Sequence, residues 1–163
     1  MAYCCVTTCL CRCDEPLRYR SHNPSDESVR SWVEYLQTKG IERVCCLLDR
    51  KLDRYDALLE QYRQSSGTDS VRRAPIPDHE AVSEGTLTRE ILPFLEEGVE
   101  ADAPVVVHYS AGQGRTGHIL AFWLATNRGY ALDDAIETVR QTGRSPLEAA
   151  PRSELQTLLD ACR

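Results

Sequence analysis

The sequence predicts an α/β domain: a central, mainly parallel sheet of about four to five strands flanked by helices. Three observations carry this expectation. Short apolar runs of strand length alternate with segments of helical period along most of the chain. One of them, PVVVHY at 104–109, is continuously apolar, as expected of a strand buried on both faces. It runs directly into a glycine-rich turn and a helix, the kind of connection that places ligand sites at the carboxyl ends of parallel strands. At 163 residues the chain is long enough for one domain with a sizeable core.

The elements follow in order. NPSDESVRSWVEYLQTKG reads as a helix: Ser25 can cap it, Asp26 and Glu27 suit its first turn, and Gly40 ends it. Val29, Trp32, Val33 and Leu36 recur at helical spacing. IERVCCLL, 41–48, is a buried strand. LDRYDALLEQYRQ is a second helix with Leu52, Tyr55, Leu59 and Tyr62 on one face. SVRRAPI is a strand leading into the polar loop PDHEAVSEG. TLTREILPFLEEGV has helical period, and Pro93 is expected to kink it. After the 104–109 strand, helices are expected over 115–128, 131–142 and about 152–162, broken at Gly129 and at TGRSP.

Composition narrows the function classes. The formal net charge of −6 argues against a general nucleic-acid or acidic-membrane binder. No apolar run approaches the ~20 residues of a membrane span. No basic segment with an apolar core marks a signal peptide, so a cytoplasmic protein is the default expectation. Of eight cysteines, five crowd the first 13 residues: Cys4, Cys5, Cys9, Cys11 and Cys13. They lack the paired CxxC spacing of a zinc site, so residues 1–16 read as a reduced, poorly ordered tail and 17–163 as the domain. Cys45 and Cys46 read as core filler. No metal or other cofactor is implied, and a monomer is expected.

The turn in VVVHYSAGQGRTG carries the chemistry. Gly112-x-Gly114-x-x-Gly117 matches a dinucleotide fingerprint literally, but it comes late in the domain, and Glu137, the acid at the right distance, falls in a predicted helix. A Walker loop fails for want of a lysine. An anion nest uses every residue. Backbone N–H groups of Ser110, Ala111, Gly112, Gln113, Gly114 and Arg115 can converge at the start of the following helix, where the helix dipole favours negative charge. Small residues let the backbone curl, and Arg115 offers a planar fork for two phosphate oxygens. The alternative is an ordinary strand-to-helix turn with a surface arginine.

HYSAGQGRTG resembles the signature of the cysteine-dependent protein tyrosine and dual-specificity phosphatases, histidine-cysteine-x-x-glycine-x-x-arginine-serine/threonine-glycine. His108, Gly112, Arg115, Thr116 and Gly117 match it position by position. The family also places an aspartate general acid about thirty residues ahead of the nucleophile. Asp78, in APIPDHE, lies 31 residues before Tyr109, although PD is also common turn chemistry. GIERVCCLL resembles the strand that these domains form before the acid loop. The resemblance covers about 17–150 and implies a compact phosphatase-like fold. It implies that Arg115 and the nest amides bind the equatorial oxygens, that Asp78 protonates the leaving oxygen and that Thr116 assists breakdown of the phosphoenzyme, with His108 beside the nucleophile. The substrate class implied is a phosphorylated protein or a small phosphate ester.

Tyr109 departs from the pattern, because it stands where the family has its nucleophilic cysteine. A phenol with a pKa near 10 is mostly neutral at pH 7, and its ring must either fill the space meant for phosphate or swing away from it. Three readings follow. The domain has lost catalysis and keeps a phosphate-binding loop; or Tyr109 is an isolated substitution in an otherwise active phosphatase; or the chain is an interaction module whose loop the ring plugs. His118, just after the signature, reads as a structural histidine.

Overall fold

The computed structural model describes residues 3–5, 26–49, 57–78, 80–109 and 113–162. Its sheet has four strands in the order β1-β4-β2-β3. β2 (Arg43–Cys46) lies between β3 (Val71–Arg73) and β4 (Val105–His108) and is parallel to both. β1 (Tyr3–Cys5) pairs antiparallel with β4, Tyr3 opposite His108. A mainly parallel sheet within helices is therefore what the chain forms.

The register decides where the site sits. Val44, Cys45 and Cys46 stand opposite Val106, Val107 and His108 on one side and Val71, Arg72 and Arg73 on the other. Pairing then runs past the strands at their carboxyl ends: Leu47 N–H donates to His108 O at 2.9 Å, and Ile76 N–H donates to Leu47 O at 3.2 Å. Ile76 and Tyr109 thus leave the sheet at the same edge, on either side of β2.

The helices are α1 (Asp26–Thr38), α2 (Leu58–Ser66), α3 (Glu84–Thr86), α4 (Leu92–Glu100), α5 (Gly114–Asn127), α6 (Leu132–Arg140) and α7 (Arg152–Ala161). In α1 the buried residues are Val29, Trp32, Val33 and Leu36, the face that the periodicity picks out. In α5 every residue from Gly114 to Ala125 is buried. A helix buried all round is the centre of a core, not its cover. Gly129 and Gly143, with φ of 73° and 81°, follow the ends of α5 and α6 in the left-handed conformation that glycine adopts without penalty. No helix among the described residues is long and apolar enough to cross a membrane.

Three features differ from the sequence reading. Tyr3–Cys5, assigned to a tail, joins the sheet as its antiparallel edge, because ladder pairing needs backbone groups and no particular side-chain pattern. The other cysteines of the 1–16 segment lie outside the described residues. α2 starts at Leu58 and buries Leu58 and Tyr62, with Leu59 only partly covered. Tyr62 sets the inward face, and the residue one turn before it is Leu58; Leu52 and Tyr55 lie outside the described residues. Between α3 and α4 the chain widens into a π-helical turn, Leu87–Ile91, in which Leu92 N–H reaches back to Leu87 O. This stands immediately before Pro93, whose missing N–H and bulky ring are incompatible with a regular i−4 carbonyl. The proline is absorbed by one wide turn.

Gly98 marks the closest approach of α4 to the sheet. A methyl group there would overlap Val105 Cγ2 and lie 3.1 Å from Ala103 O. Both belong to the segment that delivers β4, so relief would require moving the central strand. Gly98→Ala is therefore expected to destabilise the fold by about 1–3 kcal/mol, although alanine is the better helix former. Urea denaturation measures this, and an unchanged midpoint would show that α4 does not pack through Gly98.

Candidate active site

Tyr109 follows β4 directly and α5 starts at Gly114, so the turn between them spans only four residues. Ser110, Ala111 and Gly112 lie outside the described residues. Tyr109 is 5 % exposed, and its ring has not swung out to solvent. Gly114 N–H, at the head of α5, donates to Tyr109 Oη at 3.3 Å. The Arg115 guanidinium lies over the same ring, 4.0 Å from its centroid. The phenol oxygen thus takes a helix N-terminal N–H, and the ring face takes a cation. Both are groups that would otherwise attract an anion.

Arg115 is the centre of the arrangement. It is 4 % exposed and so must find its partners within the protein. Nη1 donates to Ile76 O at 2.8 Å, and Nη2 donates to Asp78 Oδ1 at 2.9 Å. The Asp78 side chain is about half exposed. The structure therefore brings Asp78 to the same guanidinium that stacks on Tyr109, from a segment held at the sheet edge by Ile76 N–H.

Behind the turn lies a buried polar relay. Trp32 Nε1–H donates to Tyr62 Oη at 2.7 Å, and Tyr62 Oη lies 2.9 Å from His108 Nε2. Tyr62 Oη accepts from the indole, and the imidazole tautomer decides which of Tyr62 O–H and His108 Nε2 donates in the second contact. Both rings meet His108 edge-on. Burial holds His108 neutral, its pKa pushed down to about 3.

Thr116 is fully buried, and its Oγ1 has no hydrogen-bond partner among the described residues. His118, two residues further along α5, is also fully buried, and its Nε2 accepts Val82 N–H at 3.3 Å. Its pKa is pushed down to about 4, chiefly by burial and then by the charge of Arg115; the Gly114 carbonyl opposes the shift, though Nδ1 does not reach it in hydrogen-bond geometry. Cys45 and Cys46 do not supply a substitute nucleophile. Both are wholly buried, and desolvation raises both thiols, Cys46 to about 11. Among the described residues no group of three or more His, Cys, Asp or Glu side chains could hold a metal ion.

Of the residues that the sequence singles out, Tyr109, Gly114, Arg115 and Asp78 converge, while His108 and Thr116 are buried next to them. Sequence reasoning missed the Ile76 carbonyl, the Trp32–Tyr62 relay and the His118–Val82 contact. Trp32 and Tyr62 were read only as helix faces. Their polar tips held a signal, since a buried indole N–H or phenol O–H needs a partner.

A comparison with protein families matches residues 19–128 to a model described as "Polymorphic toxin system, DSP-PTPase phosphatase". The chain belongs to this dual-specificity/protein tyrosine phosphatase family. Solved structures agree. The active form of Tk-PTP is 26 % identical, with a TM-score of 0.63 over 87 % of this chain and 88 % of that one. A kinase associated phosphatase whose catalytic-site cysteine is substituted by serine has 21 % identity and a TM-score of 0.67, covering 80 % of this chain and 75 % of that one. A protein tyrosine phosphatase from Leishmania major shares the fold at 22 % identity and a TM-score of 0.60, over 83 % and 81 % of the two chains. Among curated proteins no significant match is found.

Two predictions follow from the buried polar groups. Tyr62→Phe removes the acceptor of Trp32 Nε1–H and the hydroxyl that meets His108 Nε2 without changing the ring. It should cost about 1–3 kcal/mol by chemical denaturation; a neutral result would mean that the relay is not formed. The buried histidines also set an acid limit. Unfolded imidazoles take up a proton near pH 6.5, whereas His108 and His118 stay neutral in the fold down to about 3 and about 4. The unfolded state thus binds more protons as pH falls. Stability is full above about pH 6.5 and is lost below it, by up to about 1.4 kcal/mol per pH unit for each histidine. Urea midpoints between pH 8 and 5 test this, and a flat profile across that range contradicts it.

Proposed function

We propose that this chain is a phosphatase-family domain without cysteine-type turnover, its phosphate cradle occupied by its own Tyr109. The observation that carries the reading is the placement of the Tyr109 side chain between Gly114 N–H and the Arg115 guanidinium. A neutral phenol is a poor nucleophile at pH 7, and here its oxygen and ring also satisfy the groups that would bind an anion. Of the sequence readings, the plugged loop is the one favoured in the unliganded chain. A phosphate monoester, on a protein or a small molecule, remains the ligand class to which the cradle is suited once the ring withdraws.

A second reading, that Tyr109 is an isolated substitution in an otherwise complete catalyst, is favoured by Thr116. Its fully buried hydroxyl has no partner among the described residues, as expected of a group that would serve a different side chain at position 109. In this reading Asp78 is the general acid, Arg115 and the amides of 110–115 hold the phosphoryl oxygens, His108 orients the turn, and Thr116 serves the second half-reaction.

One experiment separates activity from its absence and then asks whether the remainder is intact. The chain as it stands, kept metal-free, should not hydrolyse p-nitrophenyl phosphate above an Arg115→Ala control; turnover that disappears in Arg115→Ala would overturn the first reading. Tyr109→Cys should create hydrolysis at least ~10³-fold above the parent, the scale of supplying a missing nucleophile. Its new thiol should titrate well below the ~8.5 of a free cysteine by alkylation. The pH profile should be bell-shaped, with the introduced thiol ionised and Asp78 protonated. A folded Tyr109→Cys protein with neither hydrolysis nor a low-pKa thiol would show that the site is not a catalyst lacking only its nucleophile.

A further inference from the structure

The segment carrying Asp78 is fastened to α5 at two points. Arg115 holds its first part through Ile76 O and Asp78 Oδ1. His118, three residues along the same helix and so on the same face, holds its end by accepting Val82 N–H at Nε2. The contact is built into the core. His118 is fully buried, Val82 is 1 % exposed, and Phe122, one turn on, meets the imidazole edge-on at 6.2 Å between centroids. A buried backbone N–H needs an acceptor. Val82 precedes the first residue of α3 by two positions and takes its acceptor from a side chain of another helix. The bond needs a neutral imidazole with its proton on Nδ1, since a ring protonated at Nε2 would present N–H to N–H.

We infer that His118 is a positioning residue: by holding Val82 it fixes the far end of the 76–82 segment and so sets where Asp78 stands relative to Arg115. The clamp is argued from geometry alone. Only its catalytic consequence rests on Asp78 being the acid of the proposed function. At the first point Arg115 holds the buried carbonyl of Ile76 and reaches the half-exposed Asp78 side chain; at the second, four residues beyond Asp78, the buried bond at Val82 fixes where the segment ends.

The test begins with the unaltered chain. Long-range ¹⁵N–¹H correlation of His118 at pH 7 should show the Nδ1-protonated neutral ring; an Nε2–H ring would overturn the inference at once. Hydrogen exchange then reads the clamp in variants. His118→Leu keeps volume and removes the acceptor, so exchange of amides in 76–83 should rise at least ~10-fold while β2 and β4 keep their protection. His118→Gln, whose side-chain oxygen can reach the same N–H, should restore most of it. Loss of protection spread equally over β2 and β4, or no restoration by glutamine, would reduce His118 to packing and overturn the assignment. In the Tyr109→Cys background, His118→Leu should lower kcat by ~10-fold or more for esters with poor leaving groups and far less for p-nitrophenyl phosphate, with KM little changed. If Tyr109→Cys is itself silent while exchange responds as stated, the catalytic reading fails and the clamp stands. If Tyr109→Cys is active and exchange does not respond, the clamp fails alone.

Discussion

The buried guanidinium of Arg115 is the constraint around which this site is organised. A cation that is 4 % exposed has surrendered most of its hydration, and the cost is tolerable only if the protein supplies equivalent partners. They come from two stretches far apart in sequence: the carbonyl of Ile76 just beyond β3 with the carboxylate of Asp78 two residues on, and the ring of Tyr109 at the end of β4. Each partner could be replaced singly. Together with the backbone bonds that join Leu47 to His108 and to Ile76, they fix the relative positions of two chain segments leaving the sheet on either side of β2.

Tyr109 makes the site self-sufficient. The family resemblance implies an anion at this position, held by helix N–H groups and an arginine. In this chain the phenol oxygen accepts Gly114 N–H and the negative face of the ring meets Arg115. One side chain thereby satisfies donors that the resemblance implies would hold a charged ligand. Among the described residues the wholly buried Thr116 hydroxyl, His108 Nδ1 and His118 Nδ1 have no hydrogen-bond partner.

Support for the turn comes from polar atoms inside the core. Trp32, Tyr62 and His108 form a chain of hydrogen bonds from α1 through α2 to the last residue of β4, and His118 reaches from α5 to the backbone of Val82. In a low-dielectric interior such bonds are directional and costly to break. They specify one arrangement where apolar packing alone would accept several. Both histidines take part as neutral rings, and burial keeps them so.

The fold class was legible in the sequence because it depends on periodicity and length: the continuous apolar run at 105–108, the Val29–Trp32–Val33–Leu36 stripe and the glycine breaks at 129 and 143 all map onto the elements formed. The spacing of His108, Gly112, Arg115 and Thr116, with Asp78 upstream, was legible because a local turn can be read along the chain. That Tyr109 is not a thiol, and so cannot do a thiol's chemistry, needed no coordinates. Where its ring goes did need them, since filling the cradle and leaving it are equally compatible with the local sequence. The outcome depends on Gly114 N–H and the face of the Arg115 guanidinium being in reach. The same holds for Tyr3–Cys5 joining the sheet, for Leu58 rather than Leu59 turning inward, and for the partners of Tyr62 and His118. Each is a contact between segments distant in sequence, chosen by which groups the packed fold brings within hydrogen-bond or van der Waals range, and sequence-local propensities carry no information about that choice.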